Sequence, residues 1–390
     1  MVYRAYIYRL YPTKSQEVRL DSVRETCRRF YNDCLSQRKT SYEETKETTS
    51  KYALLRKVRD LKATNPFAKE VHSHILQVVV DDLDKAFQNF FRRVKAGETP
   101  GYPRFKGRNR FAGFGLKELN NGFRIDGRRL KLSGIGRIAL RWHRPIEGTI
   151  KRVRIIQKAG KWYAAFAVLS PLSEALPQAG ESVGVDVGIA SLLTTSTGER
   201  VENPRWYRTE QQKLRVVQRR VARRKIGGSN RRKAVRQLQK QHERIANRRK
   251  DYCNKLAHGL IQRYDTIALE NLRITNMVRN HHLSKSILDA GWGYLVTHLT
   301  HKAEEAGRRV ILVDPAYTSK TCSRCGALFE HLTLADRWVI CPCGLSLDRD
   351  HNAAINILKR AGTPPLGANV AKRQPSGCGY VCVAQEAAGL

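Results

Sequence analysis

The chain has 390 residues, long enough for two or three domains with real cores. Its 72 Lys plus Arg against 35 Asp plus Glu leave a net charge of +37 and a pI near 10.3, an excess that repels itself unless a polyanion neutralises it. That points to nucleic acid, and it disfavours an acidic membrane surface, because no long basic amphipathic helix with a clean apolar face and no lipidation signal is present. Met1 to Leu10 mixes Tyr and Ile with Arg instead of forming a signal peptide's apolar core, and no apolar run approaches the ~18 residues of a membrane span. A soluble, intracellular protein is expected. Nine cysteines, four of them in short-spaced pairs, suit metal better than a disulfide framework.

Residues 2–10 alternate as a strand, with Tyr6, Tyr8 and Leu10 on one face and Ile7 and Arg9 on the other. Thr13-Lys14-Ser15-Gln16 is a capping box that starts a helix running to about Glu44. Leu20, Val23, Cys27, Phe30, Tyr31 and Cys34 keep helical spacing along it, and Cys27 and Cys34 read as small core residues. Segments at about 52–63 and 70–96 complete a helical domain. Between 97 and 111, Gly and Pro break regular structure while Arg104 and Lys106 alternate with Tyr102, Phe105 and Phe111. This aromatic–cation mixture suits RNA or single strands, through stacking and phosphate contact, better than an ordinary surface loop.

Residues 122–178 read as five strands, which with strand 2–10 could close a small barrel interrupted by the helices. Residues 170–180 resemble a linker. A second α/β region opens at Gly184-Val185-Asp186-Val187-Gly188, where an acid in an apolar strand needs a salt bridge, a proton or a metal ion. Residues 206–250 hold 17 Lys plus Arg against two Glu, with apolar positions at helical spacing and a break at Ile226 to Asn230. They read as a basic helical hairpin for phosphates, its tip carrying Arg219, Arg220, Arg223, Arg224 and Lys225. Glu270 ends the buried strand 266–272, a helix is expected over 284–306, and a strand over 310–313. A further helix starts at Asp350, and residues 362–390 are expected to be a disordered tail in which Cys378 and Cys382 are free thiols.

Asp186, Glu270 and Asp350 share a pattern: each lies at the edge of an apolar element in an alternating strand–helix region. Converging at sheet ends, three carboxylates could hold two Mg²⁺ ions and support phosphodiester hydrolysis. The pairs Cys322-x-x-Cys325 and Cys341-x-Cys343, each followed by Gly, suit one tetrahedral structural Zn²⁺. Three Cys with His331 or His351, or a knuckle without metal, are the alternatives.

These residues resemble the TnpB family, transposon-encoded relatives of the type V CRISPR effector nucleases. The resemblance rests on Gly184-Val185-Asp186-Val187-Gly188, Leu269-Glu270-Asn271-Leu272, Asp289-Ala290-Gly291-Trp292-Gly293, Thr321-Cys322-Ser323-Arg324-Cys325-Gly326 and Asp348-Arg349-Asp350-His351-Asn352-Ala353-Ala354. Tyr8-Arg9-Leu10-Tyr11-Pro12 and Gly101-Tyr102-Pro103-Arg104-Phe105 extend it over nearly the whole chain. It implies a multidomain α/β protein with an RNase H-like RuvC nuclease domain over 179–317 and 347–361, containing the basic hairpin 206–260. It implies a zinc-binding, target-strand-loading element over 318–346, a wedge β-barrel over 1–12 and 97–178, and a helical recognition domain over 13–96. By the same resemblance Asp186, Glu270 and Asp350 are catalytic Mg²⁺ ligands, Gln77 contacts the motif-bearing duplex, and Asp348 is a structural acid. The implied partners are a guide RNA from the transposon end and double-stranded target DNA, bound by one monomer in a prokaryotic cytoplasm, away from membranes. Base pairing would read sequence and the protein a short adjacent motif. Cys341-x-Cys343 departs from the family's usual two-residue spacing. A repressor or transposition regulator without cleavage is the rival function, although all three acids are present. A strand-joining transposase is a third, although no His-hydrophobic-His motif accompanies the acids.

Overall fold

The computed structural model describes residues 2–172, 174–333 and 335–362; the expected tail from 363 onward, with Cys378 and Cys382, lies outside the described residues. The chain divides into two compact units that meet in sequence at Pro171–Leu172.

The first unit begins with β1 (Val2–Tyr11), whose alternation buries Tyr6, Tyr8 and Leu10. The Tyr8 hydroxyl donates to the Arg144 carbonyl at 2.9 Å, and its ring stacks on Trp142 with centroids 4.9 Å apart. Four helices follow: α1 (Lys14–Thr45), α2 (Lys51–Thr64), α3 (Pro66–Lys69) and α4 (Ser73–Lys95). The capping box starts α1 as the sequence predicts: Gln16 N–H donates to Thr13 Oγ1 at 3.3 Å and Thr13 N–H to Gln16 Oε1 at 3.0 Å.

The chain then makes β2 (Gly113–Leu116), β3 (Glu118–Leu119), β4 (Gly122–Asp126), β5 (Arg129–Leu132), β6 (Gly136–Leu140), β7 (Thr149–Lys158) and β8 (Lys161–Ser170). The strands join in the order β2-β7-β8-β1-β6-β5-β4-β3, with β1 central and antiparallel to both neighbours. Because β3 comes back beside β7, the barrel is nearly closed. Helices and barrel share one core, in which Leu20, Phe30 and Leu76 join Tyr8, Trp162 and Phe166. A bidentate pair, Arg154 to Asp82 at 3.0 and 2.8 Å, ties β7 to α4.

The second unit is a sheet with helices on both faces. Its strands are β9 (Ser182–Val187), β10 (Ser191–Thr195), β11 (Arg200–Glu202), β12 (Thr266–Glu270) and β13 (Arg309–Val313), in the order β11-β10-β9-β12-β13. The β9, β10 and β11 neighbours are antiparallel, whereas β9, β12 and β13 run parallel. Between β11 and β12 lies the hairpin of α5 (Trp206–Ala222) and α6 (Ser229–Arg263). After β12 come α7 (Ile274–Met277), α8 (His281–Ala290) and α9 (Trp292–Glu305). The single helix expected over 284–306 is therefore two. Gly291 breaks it by adopting φ +72, a left-handed conformation that costs glycine nothing and cannot continue a helix. The last elements are β14 (Trp338–Ile340) paired with β15 (Ser346–Asp348), then α10 (Arg349–Gly362).

Period-two alternation sorts the sheet's two faces. Val183, Val185, Ile267 and Leu269 pack under α6 and α9. Gly184, Asp186, Ala268 and Glu270 occupy the opposite face, where Ala268 packs with Ile357 of α10. A Cβ on Gly184 would sit 2.0 Å from the Ala354 carbonyl oxygen, so only glycine lets α10 approach β9 this closely.

Candidate active site and metal centre

Asp186 and Glu270 follow directly on the paired residues Val185 and Leu269 of adjacent parallel strands. Their side chains therefore stand beside each other on the α10 face at the C-terminal strand ends, where α/β sheets place their sites. Asp350 arrives in the first turn of α10. Burial, then the charges of Glu270 and Asp350, push the Asp186 carboxyl well above the usual carboxylate range. Burial also raises Glu270, against the Thr318 hydroxyl and Arg360, and raises Asp350, reinforced by Asp348. The structure thus brings Asp186 within electrostatic reach of Glu270 and Asp350, acids that the sequence singled out from positions 84 and 80 residues apart (270 − 186 and 350 − 270).

Asp348 has a different job. Its Oδ1 accepts from the backbone N–H groups of Asp350 and His351 at 3.0 and 3.1 Å, capping α10. Its Oδ2 pairs with Arg200 at 2.7 Å. Arg349 is buried, and its guanidinium donates to the Thr333 and Asp336 carbonyls and the Ser319 hydroxyl at 2.5, 3.4 and 3.3 Å. It lowers Asp186 through space, as Arg360 lowers Glu270 and Arg337, Arg200 and Arg349 lower Asp350, yet burial keeps all three carboxyls raised.

The four cysteines form a separate centre. Cys322 Sγ lies 3.6 Å from Cys343 Sγ, Cys325 Sγ lies 3.5 Å from Cys341 Sγ, and all four sulfurs fall within 4.8 Å of one another. Disulfides would need ~2.05 Å, whereas sulfurs ~2.3 Å from a common tetrahedral ion stand ~3.8 Å apart. The donor set therefore fits Zn²⁺, with no position left for water. Each pair closes its own turn: Gly326 N–H donates to the Cys322 carbonyl at 3.0 Å and Gly344 N–H to that of Cys341 at 2.9 Å. With φ of +81 and +87 at these glycines, one intervening residue in the second pair suffices to bring its thiols together. Burial opposes ionisation of Cys322, but the N–H groups of Cys325 and Arg324 together with the Cys341 and Cys325 thiols bring it down to about 6. Among the described residues only the cysteines are drawn together this tightly; the three carboxylates are in electrostatic contact without such a gathering.

The nucleic-acid candidates fall into two groups. In the first unit, Gln77 is half-buried on α4. Tyr102 makes edge contacts with Phe87 and Phe90 at 5.6 and 5.3 Å, and Lys106 places its ammonium 5.7 Å from the Tyr31 ring centroid. Asn32 and Arg28 clasp the Lys106 backbone. The loop is thus pinned to α1, leaving Arg104 and Phe105 exposed. In the second unit, Arg219, Arg220, Arg223, Arg224 and Lys225 are exposed at the hairpin tip. The hairpin spends Glu210 internally, on Gln241, Arg248 and Lys213 at 2.8, 3.2 and 3.3 Å.

Sequence reasoning missed Thr318, Asn352 and Asn356. The Thr318 hydroxyl donates to Glu270 Oε1. Asn352 accepts from Ser323 N–H and donates to the Thr321 carbonyl, both at 2.8 Å; Asn356 donates to the Thr318 and Thr321 carbonyls at 2.8 and 2.6 Å. The signal was two asparagines four apart among small apolar residues, which puts amides on one buried helix face.

A family model described as "Probable transposase" (OrfB of IS605) matches residues 165–281, and one described as "Cas12f1-like, TNB domain" matches 292–357. A third, "Helix-turn-helix domain", matches residues 1–47, where the chain has a strand and one long helix. A Streptomyces pristinaespiralis protein named "Putative RNA-guided DNA endonuclease" is 33% identical over 375 residues, 92% of this chain and 89% of the relative. "TnpB-like protein L79" of Acanthamoeba polyphaga mimivirus is 31% identical over 140 residues, 34% of this chain and 27% of the relative. The chain belongs to the TnpB/OrfB family. This TnpB-family chain also superimposes on the solved "mini-RNA-guided endonuclease CRISPR-Cas_phi3" with a TM-score of 0.51, 10% identity and 94% of both chains covered, a likeness of fold.

Proposed function

We propose that the chain is an RNA-guided DNA endonuclease of a transposon, cutting double-stranded DNA beside a short motif. The observation that carries the reading is that Asp186, buried beside Glu270 of the neighbouring strand, feels the charges of both Glu270 and Asp350. Hard oxygen donors in a cluster of excess negative charge suit Mg²⁺. Asp186, Glu270 and Asp350 would hold it, and the bound ions would supply an activated water and charge neutralisation at a phosphodiester. The chain's own residues fix the frame: Asp348 caps the helix that carries Asp350, Gly184 lets that helix reach β9, and Arg349 is occupied by backbone carbonyls.

The names carried by the relatives support guidance by RNA, and +37 of net charge supports an RNA and a DNA partner together. Strand order, numbered from β9, is 3-2-1-4-5 with the second strand antiparallel, which supports an RNase H-like RuvC domain over 179–317 and 347–361. On this reading residues 1–12 and 97–178 are the wedge barrel, 13–96 the recognition helices, and 318–346 a zinc-bearing element that loads the target strand. RNA copurified with the chain is sequenced and a matching plasmid library with randomised flanks is offered with Mg²⁺. Guide-matched double-strand cuts, abolished by Asp186→Ala, are expected. Binding without cuts in Mg²⁺ would favour the repressor, and protein free of RNA would remove both RNA-guided readings.

A further inference from the structure

Thr318 belongs to neither the cysteine centre nor the three acids, yet it contacts Glu270 directly and precedes Cys322 by four residues. It is 3% exposed, and its hydroxyl donates to Glu270 Oε1. The terminal torsion of a glutamate is broad, so a lone Glu270 would sample many carboxylate orientations. A hydrogen bond to one oxygen selects among them and leaves Oε2 outside that bond.

The turn that carries Thr318 is held in place by α10. Arg360 donates to the Asp314 and Ala316 carbonyls at 2.9 and 2.5 Å, and Asn356 to those of Thr318 and Thr321 at 2.8 and 2.6 Å. Between them Tyr317 sits at φ +61, a left-handed conformation unfavourable for an aromatic residue. Such strain persists only where surrounding contacts over-determine the backbone. Helix α10 therefore does two things at once: its first turn delivers Asp350, and its later side chains fix the turn that orients Glu270. Four residues after Thr318, the same segment reaches Cys322.

We infer that Thr318 is a positioning residue that sets the orientation of Glu270 toward a divalent cation, and that α10 thereby couples the placement of Glu270 to that of Asp350. This rests on the reading of Asp186, Glu270 and Asp350 as a metal site.

The test uses Fe²⁺ as the probe, on the full chain with its cysteines first loaded with Zn²⁺. Ascorbate and peroxide generate hydroxyl radicals at bound Fe²⁺ that cut the polypeptide nearby. Wild type is expected to be cut next to Asp186, Glu270 and Asp350, and Asp186→Ala to lose those cuts. Thr318→Val keeps the shape without the donor, and its half-maximal Fe²⁺ concentration is expected to rise ~10–100-fold, the usual cost of losing an outer partner of a metal ligand. Thr318→Ser keeps the donor and is expected to stay near wild type, which a role for the methyl group alone would not allow. In the cleavage reaction, kcat should fall in the valine variant with target affinity unchanged. A valine variant that binds Fe²⁺ like wild type, or a serine variant as weak as a poorly folded valine one, overturns the role of Thr318 and leaves the metal site standing. Wild type without cuts at the three acids, or cuts that survive Asp186→Ala, overturns the metal site and Thr318 with it.

Discussion

Asp186 is a liability to the metal-free fold. In the unfolded chain it ionises near ~3.9; in the folded chain burial, Glu270 and Asp350 hold the proton on to higher pH. Between those two values the unfolded state loses its proton first, so metal-free stability falls as pH rises, and above the raised value the loss is complete and constant. Asp186→Asn removes that loss. Without divalent ions, the variant should match wild type at pH 3 and melt a few degrees higher at pH 8, where ~1 kcal/mol is worth ~2–4 °C in a domain of this size. A variant that melts lower at pH 8 would mean the charge is balanced in the native fold. The three acids were legible in the sequence because an acid inside an apolar strand is costly and has few explanations. Thr318 was not, because a threonine in a loop carries no such cost and gains meaning only when the turn brings it to Glu270.

At the scale of elements, the signals that held were local. The Thr13–Gln16 capping box and the alternation of β1 depend on neighbours a few residues away, and both formed as read. The short strands β2, β3 and β11 were not read, because two to four residues carry too little pattern and form only when a partner strand arrives. The Asp289–Gly293 motif shows the same limit. Asp289 is 4% exposed and accepts from the N–H groups of Tyr207 and Arg208 at 2.8 and 3.3 Å and from Arg249 at 3.2 Å. It therefore caps α5 from 82 residues away and pins α6 beside it. Asp289→Ala should cost ~3–5 kcal/mol, as expected for removing one partner of a buried ion pair. Hydrogen exchange should quicken over residues 206–214 and much less in β9 and β12; uniform quickening would assign Asp289 to the global core instead. The cysteine pairs predict one Zn²⁺ per chain by elemental analysis. Cys343→Ser should weaken its retention against a chelator, whereas full retention would leave Cys343 outside the ligand set.

For the whole molecule, charge is the organising fact. In the hairpin one of its two glutamates, Glu210, is spent on internal ties, and the exposed cations at its tip have phosphate as their natural complement. Arg220 shows that some of them also hold the hairpin, since it donates to Gln237 at 3.0 Å. Replacing Arg219, Arg223, Arg224 and Lys225 together with Ala leaves that tie and the hairpin's own core of Leu214, Leu238 and Ile245 in place. If all four meet phosphates of a duplex, the slope of log affinity against log salt should shrink by roughly 0.9 per lost contact, about 3.6 in all, or about 2.8 at ~0.7 per contact for a single strand. Binding of unmatched DNA should weaken in proportion, because contacts to phosphate position a nucleic acid without reading it. Titrations across a salt series measure both quantities. An unchanged slope would mean that the tip faces solvent in the complex, and that the +37 is neutralised by RNA and DNA elsewhere on the two units.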